Sequence, residues 1–484
     1  MSARRFLSWQ AAHAGLIMVM MLTGCAVGPD YQRPAVELPS VYPETPQADK
    51  SKAEEGAVSA QWWTLYNDAT LNDLVSAALK NNVDIRKAIA QIDEAEATLS
   101  EVSASLFPEI DLGASQTKSR SSTLAAQPLP PGTPVITRSN RITLSTAFEL
   151  DFWGKLRRVS EAARAQALGS RYARDVTALT LAGAATQAYF ALRSLDAQMA
   201  VTRETLASRE ESLKVVKSRA GGGLASDLEV NQAEGVRADA AVQMRDLERQ
   251  RALVEHQLSN LTGKLDLRIA PGDLKGLPAP AVPPVGLPSS LLERRPDVQQ
   301  AEQALVSANA QIGVAKAALF PTFSLTGSYG GQSESLSNLF KGDARIWTYG
   351  PSVSLPIFDA GKYSARTRQA EARQRQSLAN YQKTVETAFR EVADALTNVQ
   401  QTTASAADVQ AKVDAARNAL RLSRLRYEAG YAGYLDVLDA QRTANSAELS
   451  LVQNRQLQLS YSVDLMKALG GGWSPAKMSS STRH

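Results

Sequence analysis

Residues Glu293–Ser328 read ERRPDVQQAEQALVSANAQIGVAKAALFPTFSLTGS, and the earlier stretch Asn81–Ser115 reads NNVDIRKAIAQIDEAEATLSEVSASLFPEIDLGAS. Shifted by 213 positions (294 − 81), the two align without a gap from Asn81/Arg294 to Ser115/Ser328. Asp84 falls on Asp297, Ala88 on Ala301 and Ala104 on Ala317. The turn Leu106-Phe107-Pro108 falls on Leu319-Phe320-Pro321. Each copy reads as a polar, Ala-rich helix halted before a Pro, since Pro disfavours helix for the residue preceding it. Alternating residues follow. A repeat this long is not a short solenoid period, so it predicts two structurally equivalent halves.

Working outward, helical patterns cover roughly 70–106, 155–219, 225–262, 289–319, 361–429 and 435–470. The fifth carries apolar residues at steps of three and four: Leu378, Tyr381, Val385, Ala388, Val392, Leu396, Val399, then Ala406, Val409, Val413, Ala416, Leu420. The second does the same with Leu192, Leu195, Met199, Leu206, Leu213 and Val216. Such spacing is a coiled-coil seam. At 1.5 Å per residue each long helix reaches on the order of 100 Å, more than an ordinary globular domain needs. The shorter segments are about half as long, so two placed end to end would match one long helix.

Two extended regions, about 108–152 and 321–358, lie between the helices. Glu109–Ser115 and Ile142–Asp151 alternate, with Ile142, Leu144, Thr146, Phe148, Leu150 and Phe152 in phase. In the second region Phe323, Leu325, Gly327 and Tyr329 form one alternation, and Val353, Leu355 and Ile357 form the other. Each region predicts two strands of about ten residues, joined in the first case across a Gly/Pro-rich loop, Gln127–Pro134. Strands of that length suit a transmembrane barrel. Four cannot close one, and in lipid a sheet must close because its edges find no water. Several chains must then share a barrel: two give eight strands, three give twelve and a lumen. The competing reading is four hairpin strands in a soluble α+β protein, which the long coiled helices and the leader disfavour.

Residues 1–24 are expected to be a lipoprotein signal peptide. Arg4 and Arg5 precede the apolar run Ala11–Leu22, which is too short to span a bilayer. Leu22-Thr23-Gly24-Cys25 resembles the bacterial lipoprotein signal, which makes Cys25 the first mature residue and the lipid attachment site. Several acyl chains anchor firmly, at about 0.8 kcal/mol per buried methylene. Ala26 follows where inner-membrane lipoproteins carry Asp, which points to the outer membrane. Residues 25–60 are Pro-, Ala- and Glu-rich without periodicity and read as a tether. Then come a first repeat over 61–270, a Pro-rich linker over 271–288, a second repeat over 289–470 and a tail over 471–484.

Composition narrows the function. The 484-residue chain carries a formal charge of +4, or 4 − 2 = +2 without the two leader arginines, which gives no case for nucleic acid. Its one cysteine excludes an intrachain disulfide, and His13, His256 and His484 form no zinc-like cluster. There is no Ser–His–Asp pattern, nucleotide loop or HExxH, and Gly221–Gly223 lacks the Lys-Ser/Thr of a phosphate loop. The chain reads as no enzyme and needs no cofactor beyond the lipid on Cys25.

A second repeat lies at two helix turns. Arg219–Gln232, RAGGGLASDLEVNQ, aligns at a shift of 209 (436 − 227) with Glu428–Gln441, EAGYAGYLDVLDAQ. Gly221 and Gly430 suit the left-handed residue that ends a helix, and Ser226, Asp227 and Asp436 suit the start of the next. For Asp227 and Asp436, plain capping is the bland reading. Asp439, a turn inside the helix, has a solvated face as its own.

The ordered marks Cys25–Pro34 (CAVGPDYQRP), Trp62-Trp63 with Asp68 and Leu71, Phe148–Lys155 (FELDFWGK), Glu293–Asp297, the two Leu-Phe-Pro turns and Tyr427–Gln441 resemble the TolC-like outer-membrane efflux proteins. Within them the likeness is to the lipoprotein branch typified by OprM and NodT, and it covers essentially all of the mature chain. The resemblance implies a mainly helical homotrimer with a twelve-stranded barrel in the outer membrane and a twelve-helix periplasmic tunnel. It implies a passive exit duct for drugs or other small molecules. A periplasmic adaptor and an inner-membrane transporter of the proton-driven resistance-nodulation-division type would open it. It further implies that the tip is a closed entrance whose aspartates are held by Tyr and Arg. The matching positions are Asp227, Arg426, Tyr427, Leu435, Asp436 and Asp439. Some members carry Arg where this chain has Ala432, so closure would lean on Arg426 or on Leu435 as a plug. Export of protein or peptide through the same duct, and a non-channel coiled-coil envelope lipoprotein, are the alternatives.

Overall fold

The computed structural model describes residues 26–39, 42, 59–124, 130, 132–274, 276–278 and 291–473. Cys25, the expected lipid site, lies outside the described residues, as does most of the Pro-rich stretch around 280. Besides the single helical turn Leu291–Arg294, the α-helices are α1 (Ala69–Asn81), α2 (Val83–Ala104), α3 (Lys155–Gly221), α4 (Asp227–Thr262), α5 (Pro296–Ala317), α6 (Lys362–Glu428) and α7 (Tyr434–Ala468). The strands are β1 (Glu109–Arg120), β2 (Ile136–Leu150), β3 (Thr322–Ser333) and β4 (Arg345–Ser354). Thus α2 and α5, and β1 and β3, obey the 213 shift read from the sequence. Both helices of the repeat stop just short of their Leu-Phe-Pro turns, as the prolines require.

The chain forms two compact units that cut across its repeat. The first comprises the N-terminal segment up to Ala35 with Ile92–Gly169 and Ala301–Tyr381. At its heart is one antiparallel sheet in the order β1-β2-β3-β4. Its pairing separates two faces. Rows such as Leu112–Leu144–Tyr329–Trp347, Phe148–Leu325–Pro351 and Leu150–Phe323–Val353 collect the apolar residues. Rows such as Asp111–Ser145–Ser328–Thr348 and Glu149–Ser324–Ser352 are polar. Every residue of β1 is exposed, and Leu112, Tyr329, Trp347 and Tyr349 stand bare. Among the described residues neither the apolar nor the Ser/Thr-rich face is covered by another element, the pattern expected of a barrel wall between lipid and a wet interior.

The fourth strand corrects the sequence reading. Leu355 and Ile357 lie beyond β4, which runs over Arg345–Ser354 and presents Trp347, Tyr349, Pro351 and Val353 on the apolar face. Gly350-Pro351 broke the apolar alternation and hid it. Strand β2 is also longer than expected, at 15 residues.

The N-terminal segment is sewn onto this unit as a strap. Val27 N donates to Trp153 O at 2.9 Å, and Asn309 Nδ2 donates to Pro29 O at 2.9 Å. Arg158 pairs with Asp30 at 2.5 Å, and Arg33 with Glu302 at 2.7 Å. Gly28 is held at φ +108° so close to Gly313 that a Cβ there would lie 2.5 Å from Gly313 Cα.

The second unit comprises Val36–Gln91, Ser170–Gln300 and Gln382–His484. The short 3-10 helix Trp62–Tyr66 drops Trp62 and Tyr66 into a core with Leu71, Tyr189, Phe190, Leu258 and Leu459. Each such fully buried side chain contributes roughly 1.5–3 kcal/mol relative to exposure. Asp68 caps α1 through Leu71 N at 3.0 Å, and its other oxygen accepts from Tyr189 Oη at 2.5 Å. Burial then pushes the Tyr189 hydroxyl up to about 12. Most of the predicted seam in this unit is buried: Val385, Ala388, Val392, Leu396, Val399, Val413 and Ala416 are all below a tenth exposed, while Ala406, Val409 and Leu420 are half-buried.

Two joints of this unit bring helix ends together. Asn82 starts α2 by accepting from Asp84 N and donates to Leu261 O, at the end of α4, at 3.0 Å. At the same place in the second repeat, Arg295 precedes α5 and donates to Ala468 O, at the end of α7, at 3.1 Å.

Candidate functional site

The site is built where α3 turns into α4 and α6 into α7. Each long helix ends in a Schellman motif, in which a left-handed residue lets two amides turn back onto the last carbonyls. In the first turn Leu224 N donates to Arg219 O at 2.8 Å, with Gly223 at φ +74°. In the second Tyr431 N donates to Arg426 O at 2.8 Å, with Gly430 at φ +78°. So Gly430 takes its expected role, but in the first turn the left-handed residue is Gly223, and Gly221 closes α3.

The correspondence between the turns is corrected with it. Helices α3 and α6 start at 155 and 362 and end at 221 and 428, and α4 and α7 start at 227 and 434, so the shift is 207 rather than 209. Asp227 is then the partner of Tyr434, Glu229 of Asp436 and Arg219 of Arg426. Matching one aspartate to the other had slipped the register by two. Neither aspartate is the N-cap. Ser226 caps α4 in a full capping box with Glu229, and Gly433 opens α7 with no side-chain cap bond. Asp227 and Asp436 sit in the first turns of their helices, where the helix dipole favours negative charge.

Asp227, Arg426, Leu435, Asp436 and Asp439 are all exposed on the single chain. Asp439 pairs with Arg442 on its own helix at 2.6 Å, an exposed contact worth little by itself. Tyr427 is half-buried. Its ring lies 5.3 Å from Tyr434, and the Arg219 guanidinium stands 4.9 Å above it. Tyr434 is 4 % exposed in an apolar cluster with Leu213, Val216, Val437 and Leu438. That burial pushes its hydroxyl above the usual phenol range, with Tyr427 as a second cause. Arg424 Nη2 donates to Ser208 Oγ at 2.8 Å, a second tie between α6 and α3.

The structure therefore gathers Arg219, Tyr427 and Tyr434, and leaves the three carboxylates and Leu435 facing out from the ends of α4 and α7. Sequence reasoning missed Arg219. The signal was present, since Arg219 precedes its turn as Arg426 precedes the other. The arrangement offers no nucleophile beside a base. It offers carboxylates at the end of two helical hairpins, held by an aromatic and guanidinium stack behind them.

Known proteins place the architecture. The profile of the outer membrane efflux protein family matches residues 74–264 and 287–471. The toluene efflux pump outer membrane protein TtgC of Pseudomonas putida is 36 % identical over 468 residues, covering 94 % of both chains. The cation efflux system protein CusC of Escherichia coli O6:H1 is 34 % identical over 462 residues, covering 94 % of this chain and 97 % of that one. The structure of the outer-membrane channel OprN superposes with a TM-score of 0.84 at 30 % identity, over 93 % of this chain and 100 % of that one. A helical chain with a two-faced four-stranded sheet, matched over nearly its whole length by such channels, belongs to the outer membrane efflux protein family and is an outer-membrane channel of an efflux pump rather than an enzyme.

Proposed function

We propose that the working duct is a homotrimer. The observation that carries this reading is the two-faced sheet with open edges. In the single chain β1 and β4 each have one neighbour, and lipid does not tolerate unpaired edges. Pairing β1 of each copy with β4 of the next closes a ring, and three copies give twelve strands, wide enough for an aqueous lumen. The Ser/Thr-rich face lines that lumen. The long helices extend it as a twelve-helix tunnel into the periplasm.

At the tip, Asp227, Asp436 and Asp439 from three copies form rings of negative charge, where a narrow pore focuses the field. Arg426, Tyr427 and Leu435 complete the closure. A periplasmic adaptor opens it, coupled to a proton-driven inner-membrane transporter of the resistance-nodulation-division type, which supplies the energy. The cargo is small molecules, as with the toluene and cation pumps whose outer-membrane components the chain resembles. Cys25 carries acyl chains in the outer membrane. Native mass measurement of the purified full chain tests the assembly: a three-copy mass is expected, and a two-copy mass would contradict the twelve-stranded duct.

A further inference from the structure

On the apolar face of the sheet, Leu144, Thr146, Gly327, Tyr329, Trp347 and Tyr349 line a groove of about 610 Å³. Its floor is the cross-strand pair Thr146–Gly327, a row where β3 has no side chain. Trp347 and Tyr349 wall it as stacked rings 5.5 Å apart and 20° from parallel, both more than half exposed. An open, apolar depression with aromatic walls is a surface on which methylene groups can lie, and nothing else in the described chain fills it.

The strap points to which chain. Ala26, the residue after Cys25, packs so tightly against Gly154 that a Cβ on Gly154 would lie 2.8 Å from Ala26 Cβ. A Cβ on Gly313 would lie 2.8 Å from Val27 O. Trp153, which accepts the Val27 amide, donates its indole N–H to Pro321 O at 2.7 Å and stacks on Phe320 at 4.7 Å. The strap thus starts at the foot of β2 and β3, the two strands that floor the groove. From Pro321 to Gly327 is about 20 Å of strand. A strand tilt near 40° reduces this to about 15 Å of depth. That is half of a hydrocarbon core about 30 Å thick, the reach of one lipid chain. Cys25 follows Ala26 back by only one peptide, about 3.8 Å between Cα atoms.

We propose that this groove is the seat of one acyl chain borne by Cys25, so that the strap and the chain together lock the lipid anchor to the barrel wall. The proposal rests on the reading of Cys25 as acylated. The test feeds cells a palmitate analogue carrying a diazirine and an alkyne, irradiates membranes holding the full chain, and maps cross-linked peptides. A peptide pair joining the Cys25 acyl group to the β3 or β4 segment is expected, and Gly327→Phe should abolish that pair while Cys25 remains labelled. Label on Cys25 with pairs scattered over the sheet, or with only free-phospholipid adducts in the groove, would overturn the seat and leave the lipoprotein reading standing. No label on Cys25 would remove both.

Discussion

Arg33 grips Glu302 with both arms of its guanidinium, Nε on Oε1 at 2.7 Å and Nη2 on Oε2 at 2.8 Å, across 269 residues of chain. The Tyr31 hydroxyl donates to the same Oε1 at 3.0 Å, and burial beside that carboxylate pushes the hydroxyl up from its usual range. Glu302 is 4 % exposed, and these two partners satisfy its carboxylate. A bidentate, charge-assisted pair is among the stronger hydrogen bonds. Glu302→Gln should speed hydrogen exchange at the Val27 amide about tenfold, equivalent to roughly 1.4 kcal/mol of strap docking. Arg33→Lys should fall between, having charge without the fork. Exchange unchanged in both would mean that the glycine contacts alone hold the strap.

Behind the tip, Arg219 and Tyr427 form one of the ties between α3 and α6. A cation over an aromatic face contributes about 0.5–1 kcal/mol where exposed, more when desolvated. Tyr427→Phe, which keeps the ring, should leave the closed state intact. Tyr427→Leu and Arg219→Gln should each raise the open probability of single channels several-fold. If Phe opens the channel as much as Leu, the hydroxyl rather than the ring closes it.

Arg209 is a buried guanidinium with no carboxylate partner within ion-pair distance among the described residues. It is 8 % exposed, Nη1 donates to Val236 O at 2.5 Å, and Nε has no partner. Burial lowers its pKa, outweighing the opposing pull of Asp239 and Tyr434. Replacing such a charge with an apolar chain of similar volume is often neutral or stabilising. Arg209→Met should hold or raise Tm, while Arg209→Ala should lower it through the void. A fall in Met equal to that in Ala would show that the charge itself is needed.

Asp464, on α7, accepts from Gln187 Nε2 at 2.7 Å, yet burial raises its pKa above the ordinary aspartate value. The folded state therefore binds this proton more tightly than the unfolded state. The stability it contributes is present below the unfolded pKa and is lost as pH rises through the raised one. Asp464→Asn should flatten thermal stability between mildly acidic and neutral pH, with its gain over wild type appearing at neutral pH. An equal effect at both pH values would contradict this.

Much of the fold was legible because its signals are local. The 213 shift survives because helix, proline stop and strand repeat as one block, and the seams of α3 and α6 are written in apolar spacing. The strands were legible where alternation is clean, as at Phe148–Leu150, and lost at Gly350-Pro351. The first turn misled because three consecutive glycines do not say which takes the positive φ, and Gly223 does. The strap was illegible for another reason. Residues 26–34 have no period, and their structure comes from partners such as Glu302 and Arg158, far along the chain.

The most direct test is single-channel conductance of the purified full chain in a planar bilayer, wild type beside Asp436→Ala/Asp439→Ala. A small, cation-favouring wild-type conductance that rises sharply in the double variant is expected from a barrel closed at its tip by carboxylate rings. Insertion with equal conductance in both would assign those residues to the helix ends alone. No conductance in either would contradict the duct itself.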